Sequence, residues 1–220
     1  MRGFMGNFAR LVLFCTTLLA MTACMPSTET MLKDAYNVPS YGKSKFDGSK
    51  YISLSNMSCE YVGLELYQDT YKSQKGIVLL KAGTFSITNI DGGKSLWIKL
   101  DGDTYSFEPV DNLTEHEKNY YSIGGTQVAK NFSNRSYIVP EKFIRKAAES
   151  KEFLVKVIQL NKKYIEGQCS PMSLEEAREL AEEQGVSQSF ITKKSLETAN
   201  MVTATKGFQK FVKMMDSVSW

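Results

Sequence analysis

One histidine, a few cysteines and a run of glutamates are what this chain offers to catalytic or metal chemistry. His116, in NLTEHEKN, is the only histidine, so any Ser-His or Cys-His nucleophile pair has to use it. No Gly-x-Ser-x-Gly elbow surrounds a serine, and nothing beside Cys59 or Cys169 favours a reactive thiolate. A single histidine in a polar loop reads as a solvated residue. One His and two distant Cys do not make a usual zinc set without several carboxylates, so no metal is expected. Asp101-Gly102-Asp103 has the opening of a calcium loop, but the oxygen donors and Gly due at later positions do not follow, and a hairpin turn explains it better. Glu175, Glu176, Glu179, Glu182 and Glu183 read as the wet face of an amphipathic helix rather than as a catalytic pair. SIGGTQ at 122–127 lacks phosphate-loop spacing and reads as a turn. No catalytic residue and no cofactor is assigned, and the reading leans away from an enzyme. A carboxylate pair assembled only in space leaves no local motif, so it stays open as an alternative.

The amino terminus carries more information. Arg2 and Arg10 come with no acid before Glu29, and Leu11 to Met21 is an apolar run ending in Thr22-Ala23-Cys24. A basic start, about a dozen apolar residues and a small-residue exit are the parts of a secretory signal. A spanning helix needs about 20 apolar residues, and threonines interrupt this shorter run, which makes a membrane helix the secondary reading. Met21-Thr22-Ala23-Cys24 resembles the lipobox of bacterial lipoproteins, with Met where Leu is commoner. The resemblance implies that residues 1–23 are removed and that Cys24 becomes a lipid-bearing first residue, its acyl chains (palmitate among them) anchoring the protein in a membrane. Two or more chains, at about 0.8 kcal/mol per buried methylene, give stable attachment. Met25 in place of Asp leans toward the outer membrane over the inner.

Removal of 1–23 takes Arg2 and Arg10 from the 27 basic residues and leaves 25 against 24 acidic ones. A balance near neutrality gives no case for nucleic acid. The remaining 197 residues of 220 suit one domain with an appendage. Cys15 goes with the signal and Cys24 with the lipid, so Cys59 and Cys169 are left for a disulfide in an oxidising compartment, two separately buried thiols being the alternative. The Asn-x-Ser/Thr matches at Asn56, Asn112, Asn131 and Asn134 carry no meaning in a bacterial envelope protein.

Residues 24–49 mix Pro, Gly, Ser and Lys and read as lipidated Cys and tether, with Leu32, Tyr36 and Val38 able to dock on the domain. Residues 50–220 then form one globular unit. SLWIKL, Asp101-Gly102 and DTYSFE predict a hairpin pairing Ile98 with Tyr105 and Leu96 with Phe107. GIVLLKAGTFSITN predicts a second hairpin turning at Ala82-Gly83 and pairing Leu80 with Phe85. EYVGLELYQ predicts a strand with Cys59 near its start. After a polar stretch at 111–134, Ser136–Val139 reads as a strand, Pro140 as the first position of a helix with Phe143, Ile144, Ala147 and Ala148 on one stripe, and EFLVKVIQL as a strand with 163–169 returning beside it. Ser173 and Glu176 have capping-box spacing before a helix face of Leu174, Ala177, Leu180 and Ala181, with Gly185 as its stop. Phe208, Phe211, Val212 and Met215 recur at helical spacing among lysines, either closing the core or facing a membrane or partner.

The expected fold is α+β, an antiparallel sheet or two-sheet sandwich with peripheral and carboxyl-terminal helices. The expected function is that of a lipid-anchored bacterial envelope protein acting by binding, as an accessory factor or adaptor, with the membrane and an envelope protein as partners. A carboxylate-based hydrolase of envelope glycans and a carrier of a small apolar ligand are the alternatives.

Overall fold

Asp101 and Gly102 turn the chain with φ of 48° and 92°, the paired positive values a two-residue type I′ loop demands. A computed structural model describes residues 37–69, 76–123, 126–183, 185 and 187–218. In it that turn joins β5 (Leu96–Leu100) to β6 (Asp103–Phe107), with Ile98 opposite Tyr105 and Leu96 opposite Phe107 as expected. The same hairpin continues through β9 (Phe153–Ile158) to β10 (Tyr164–Gln168), giving a four-stranded antiparallel sheet in the order β10-β9-β5-β6.

The larger sheet has the order β1-β2-β3-β4-β8-β7, all antiparallel. Its strands are β1 (Ser40–Lys43), β2 (Lys50–Cys59), β3 (Val62–Asp69), β4 (Ile77–Thr84), β7 (Glu115–Ile123) and β8 (Thr126–Pro140). β1 comes from the stretch read as tether. A bulge at Ser55–Asn56 shifts the β2 register between Leu54 and Met57. One extra residue there keeps Ile52, Leu54, Met57 and Cys59 all buried. Cys59 therefore ends β2 rather than opening the next strand.

Two strand expectations are corrected. Ala82-Gly83 is not a turn: β4 runs straight through it, Gly83 lying between Gly63 of β3 and Asn134 of β8. A Cβ on Gly83 would sit 2.1 Å from the Ser133 carbonyl, so this glycine allows close backbone approach instead of a reversal. The polar stretch 111–134 is mostly strand, because β7 is an edge with a single neighbour, and Glu115, His116 and Lys118 on it are exposed to water. Of SIGGTQ, the two glycines lie outside the described residues, and Ile123 pairs with Thr126 on either side of them.

Helix α1 (Glu141–Glu149) follows β8, with Pro140 at the N-cap, one residue earlier than expected, and it buries Phe143, Ile144, Ala147 and Ala148. Helix α2 (Leu174–Glu183) stops at Gly185, whose φ is 68°. A 3-10 turn at Gln188–Phe190 leads to α3 (Lys193–Met201) and α4 (Ala204–Ser217). α1 packs on α4, and α4 on β2. Phe143 meets Tyr105 and Phe107 edge-on, and Phe208 meets Phe153 the same way. Phe208, Phe211 and Met215 are buried, so α4 closes the core, and Leu64, Leu80, Ile98, Val155 and Tyr137 fill the space between the sheets. The architecture is α+β, two antiparallel sheets with helices at the periphery and carboxyl end. No described helix is long and apolar enough to cross a membrane.

Candidate functional site

Alternation along the small sheet sends Leu96, Ile98, Phe153, Val155 and Val157 into the core and leaves Trp97, Lys99, Leu154, Lys156 and Ile158 on the outer face. Register makes a grid of that face. Trp97 lies opposite Lys156, and Lys156 opposite Glu166; Lys99 lies opposite Leu154, and Leu154 opposite Gln168; Ile158 faces Tyr164. The indole is held by a bond from Trp97 Nε1 to the Lys94 carbonyl (2.8 Å). Lys156 Nζ sits 3.3 Å from Glu166 and 4.4 Å from the Tyr164 ring centre, and Lys99 reaches Glu152 at 2.7 Å. Trp97 is 38% exposed and Tyr164 55%, high values for aromatic residues on a sheet face.

Helix α2 forms the opposite wall. Its start is the expected capping box, the Ser173 N–H donating to Glu176 Oε2 (2.6 Å) and the Glu176 N–H to Ser173 Oγ (3.1 Å). Glu176, Glu179, Leu180 and Glu183 follow at i, i+3, i+4 and i+7, one helical face, and that face lines the cleft. Ala177 and Ala181 are buried, and α2 packs chiefly on α3 and the 3-10 turn. The base of this helical arm is fixed by two reciprocal bonds, Met172 N–H to Asn200 Oδ1 (2.9 Å) and Asn200 Nδ2 to the Met172 carbonyl (2.8 Å). Between arm and sheet lies a cleft of about 840 Å³, a volume in the range of small-ligand sites. Glu60, from the turn after β2, also lines it. Burial pushes its carboxyl above the usual range, the Glu166 charge adds to the rise, and a bond from the Gln168 backbone N–H opposes it.

The residues singled out from sequence go elsewhere. Cys24 lies outside the described residues. Cys59 and Cys169 are disulfide-bonded, S–S 2.05 Å. His116 stands in β7, not in a loop, with Nδ1 2.8 Å from Ser133 Oγ. This is no catalytic dyad. The Ser133 hydroxyl donates to the Ser86 carbonyl (2.7 Å) and accepts from the Thr88 N–H (3.2 Å), and Ser133 is 1% exposed. Its oxygen has three partners and no space for an acyl group. Asp101 Oδ1 accepts the Lys151 and Glu152 N–H groups and Asp103 pairs with Lys146, so the acids of that turn brace the hairpin. Among the described residues no His, Cys, Asp and Glu group has metal-ligand geometry. Glu175 and Glu182 are exposed on α2, while Glu176, Glu179 and Glu183 of the same run face the cleft.

Sequence reasoning missed the floor of this cleft, although a signal was there. A strand with one face in water should carry polar residues at alternate positions, yet Trp97, Leu154 and Ile158 occupy outward positions. Against protein-family models, curated proteins and solved structures the chain has no match.

Proposed function

We propose that this is a lipid-anchored bacterial envelope protein that acts by binding, using the cleft between the outer face of the small sheet and α2. The observation that carries the binding reading is the apolar and aromatic strip of Trp97, Leu154, Ile158 and Tyr164, left uncovered on a sheet face and walled by a helix that packs elsewhere. The lipobox-like Met21-Thr22-Ala23-Cys24 supports the anchor and the envelope location, with the outer membrane preferred.

Asn37 is buried and its Nδ2 donates to the carbonyls of Val202 (2.9 Å) and Thr203 (3.0 Å), between α3 and α4. Residue 37, thirteen positions after Cys24, is thus fixed next to the base of the arm that walls the cleft. Twelve residues, 25–36, lie between Cys24 and Asn37, and a chain of that length reaches at most about 40 Å. This geometry suits an accessory factor working close to the membrane that holds it.

The test has two parts. Intact mass and membrane partitioning, wild type beside Cys24→Ser in a bacterial host, should show an acylated species beginning at Cys24 that leaves the membrane in the variant. Retention of the domain on purified murein sacculi and on envelope vesicles, wild type beside Ile158→Glu, should show binding that the variant loses. Equal behaviour of wild type and variant in both assays would sink the reading.

A further inference from the structure

From the distribution of charge in the cleft we infer its ligand class: a short extended peptide that carries both ammonium and carboxylate groups around an apolar side chain. This rests on the cleft being the binding site and adds what the site selects.

The lining carries an acidic helix wall and a sheet side of mixed sign, where Glu60 and Glu166 stand among the lysines. Glu176, Glu179 and Glu183 lie on the helix wall, and Lys94, Lys99 and Lys156 belong to the sheet side. No ion pair crosses the gap: Lys99 pairs with Glu152 and Lys156 with Glu166, both on the sheet side. Among the described residues Lys94, Glu179 and Glu183 have no ion-pair partner at all. Trp97, Leu154, Ile158, Met172 and Leu180 supply apolar surface along the same cleft.

An occupant displaces water from all three surfaces. A fatty acyl chain would fill the apolar strip but strip water from eight charged side chains and return no polar contact. A neutral glycan would stack on Trp97 and Tyr164 and offer hydroxyl groups, yet leave the acidic wall without a cation. A polypeptide segment with both signs of charge meets every surface: ammonium groups toward α2, carboxylates toward the lysines, and an apolar side chain between them on Trp97 and Ile158. Charge-assisted contacts of this kind are stronger than neutral ones and reject a partner of single sign.

The experiment uses the chain from residue 25 onward with Trp220→Phe, which leaves Trp97 as the only tryptophan and hence as the reporter. Probes are the free-ended peptide Ala-Glu-Leu-Lys-Ala, its analogue with Gln for both charged residues and blocked ends, N-acetylchitotetraose and dodecanoate, titrated by fluorescence and checked by calorimetry. The charged peptide should bind at least about tenfold more tightly than its neutral analogue, and weaken as salt is raised. Lys156→Glu and Glu179→Lys should each cut its affinity by about tenfold or more, with folding confirmed by circular dichroism. The double variant Lys156→Glu/Glu179→Lys should recover part of the loss for a peptide of reversed order, Ala-Lys-Leu-Glu-Ala. Equal binding of neutral and charged peptide, or tighter binding of the glycan or dodecanoate with Trp97 responding, overturns the peptide assignment and leaves the cleft as the site. A silent Trp97 with every probe overturns the peptide assignment, and if Ile158→Glu also leaves sacculus and vesicle retention unchanged, the cleft itself is not the site.

Discussion

Cys169, disulfide-bonded to Cys59, ties the residue that follows β10 to the last residue of β2, and so joins the two sheets covalently across a separation of 110 residues. The junction is reinforced by hydrogen bonds. The Cys169 N–H donates to the Phe153 carbonyl, and the Cys169 carbonyl accepts both the N–H and the hydroxyl of Thr205 at the start of α4. Gly167 lies so close to the Cys59 carbonyl that any side chain there would overlap it. Sheet, sheet and helix therefore share one seam, and α2 starts from it five residues on.

Breaking the bond should cost stability more than structure. Closing a loop of this length is worth about 4–5 kcal/mol in the chain-entropy model, and native disulfides typically contribute about 2–5. Cys59→Ala/Cys169→Ala should lower the urea midpoint, with a steeper slope because the unfolded chain is no longer held compact. The denatured chain from residue 25 should show no titratable thiol before reduction and two after it.

Gly83 distinguishes a turn glycine from a packing glycine. In a turn, Ala would be tolerated or mildly strained. Between β3 and β8 a Cβ would meet Ser133 O at 2.1 Å and Asn134 Cα at 2.7 Å, backbone atoms that cannot swing aside. Gly83→Ala should destabilise by about 3 kcal/mol, the upper end for overpacking. Gly93→Ala, with nothing within 4 Å, should change the melting temperature little.

These two sites also show what was legible in the sequence. Asp101-Gly102 specified its hairpin because the turn geometry and the alternation of Leu96, Ile98, Tyr105 and Phe107 agree, and both are local. Ala82-Gly83 misled because a glycine needed for approach of Ser133, fifty residues away, looks the same in sequence as one needed for a reversal. β7 was hidden since an edge strand with polar residues on it carries no burial pattern. The cleft was unreadable for a related reason: the lysines come from β5, β9 and the segment before β5, the acids come largely from α2, and only the sheet register and the arm bring them together.

Arg135 is 3% exposed and stitches together two of the connections between the sheets, β4 to β5 and β6 to β7. Its Nε donates to Asp111 Oδ1 (2.9 Å), Nη2 to the Asp111 carbonyl (2.6 Å), and Nη1 to the carbonyls of Asp91 (2.9 Å) and Ile90 (3.3 Å). Asp111 also accepts the Ser136 N–H (2.7 Å). Arg135→Ala should cost about 3–5 kcal/mol, the range for removing one partner of a buried pair. Arg135→Lys should recover little, because a point ammonium cannot replace a planar fork. Thermal unfolding of both variants checks this.

Acid pH should act in two opposed stages. Burial raises the carboxyls of Glu60 and Glu65, the latter further through the Glu117 charge. A raised carboxyl favours the protonated folded state, so stability should increase as pH falls through those values toward the unfolded value of about 4.3. Lys162, the Glu152 N–H, Lys146 and Arg145 hold Asp91, Asp101, Asp103 and Asp216 respectively below the usual range. Their contribution is present above about 4 and is lost as pH falls through the lowered values. The urea midpoint should therefore rise modestly from pH 7 to about 5 and drop below about 4. Glu60→Gln/Glu65→Gln should remove the rise and keep the drop; a rise that survives the double variant has another source.

Ser95 and Tyr137 make a fully buried polar bridge between the sheets. The hydroxyls lie 2.9 Å apart, both residues are 0% exposed, Tyr137 sits in β8 of the large sheet and Ser95 immediately before β5 of the small one. Burial pushes the Tyr137 hydroxyl up to about 12, partly opposed by the Ser95 bond. Tyr137→Phe leaves the Ser95 oxygen without its partner in an apolar core and should cost about 1–3 kcal/mol. Ser95→Ala strands the phenol to a similar degree. With both hydroxyls gone no buried group is left unpaired, so the double variant should be more stable than the sum of the single losses predicts, a coupling a urea-denaturation cycle measures directly. Strict additivity would mean that the two hydroxyls do not bond. The alkaline limb gives an independent reading: the unfolded chain ionises tyrosine near pH 10 while Tyr137 resists to about 12, so stability should fall across that interval. Tyr137→Phe should shrink that fall without abolishing it, because Tyr67 is also raised to about 12, by burial first and by its bond to Asp69 second.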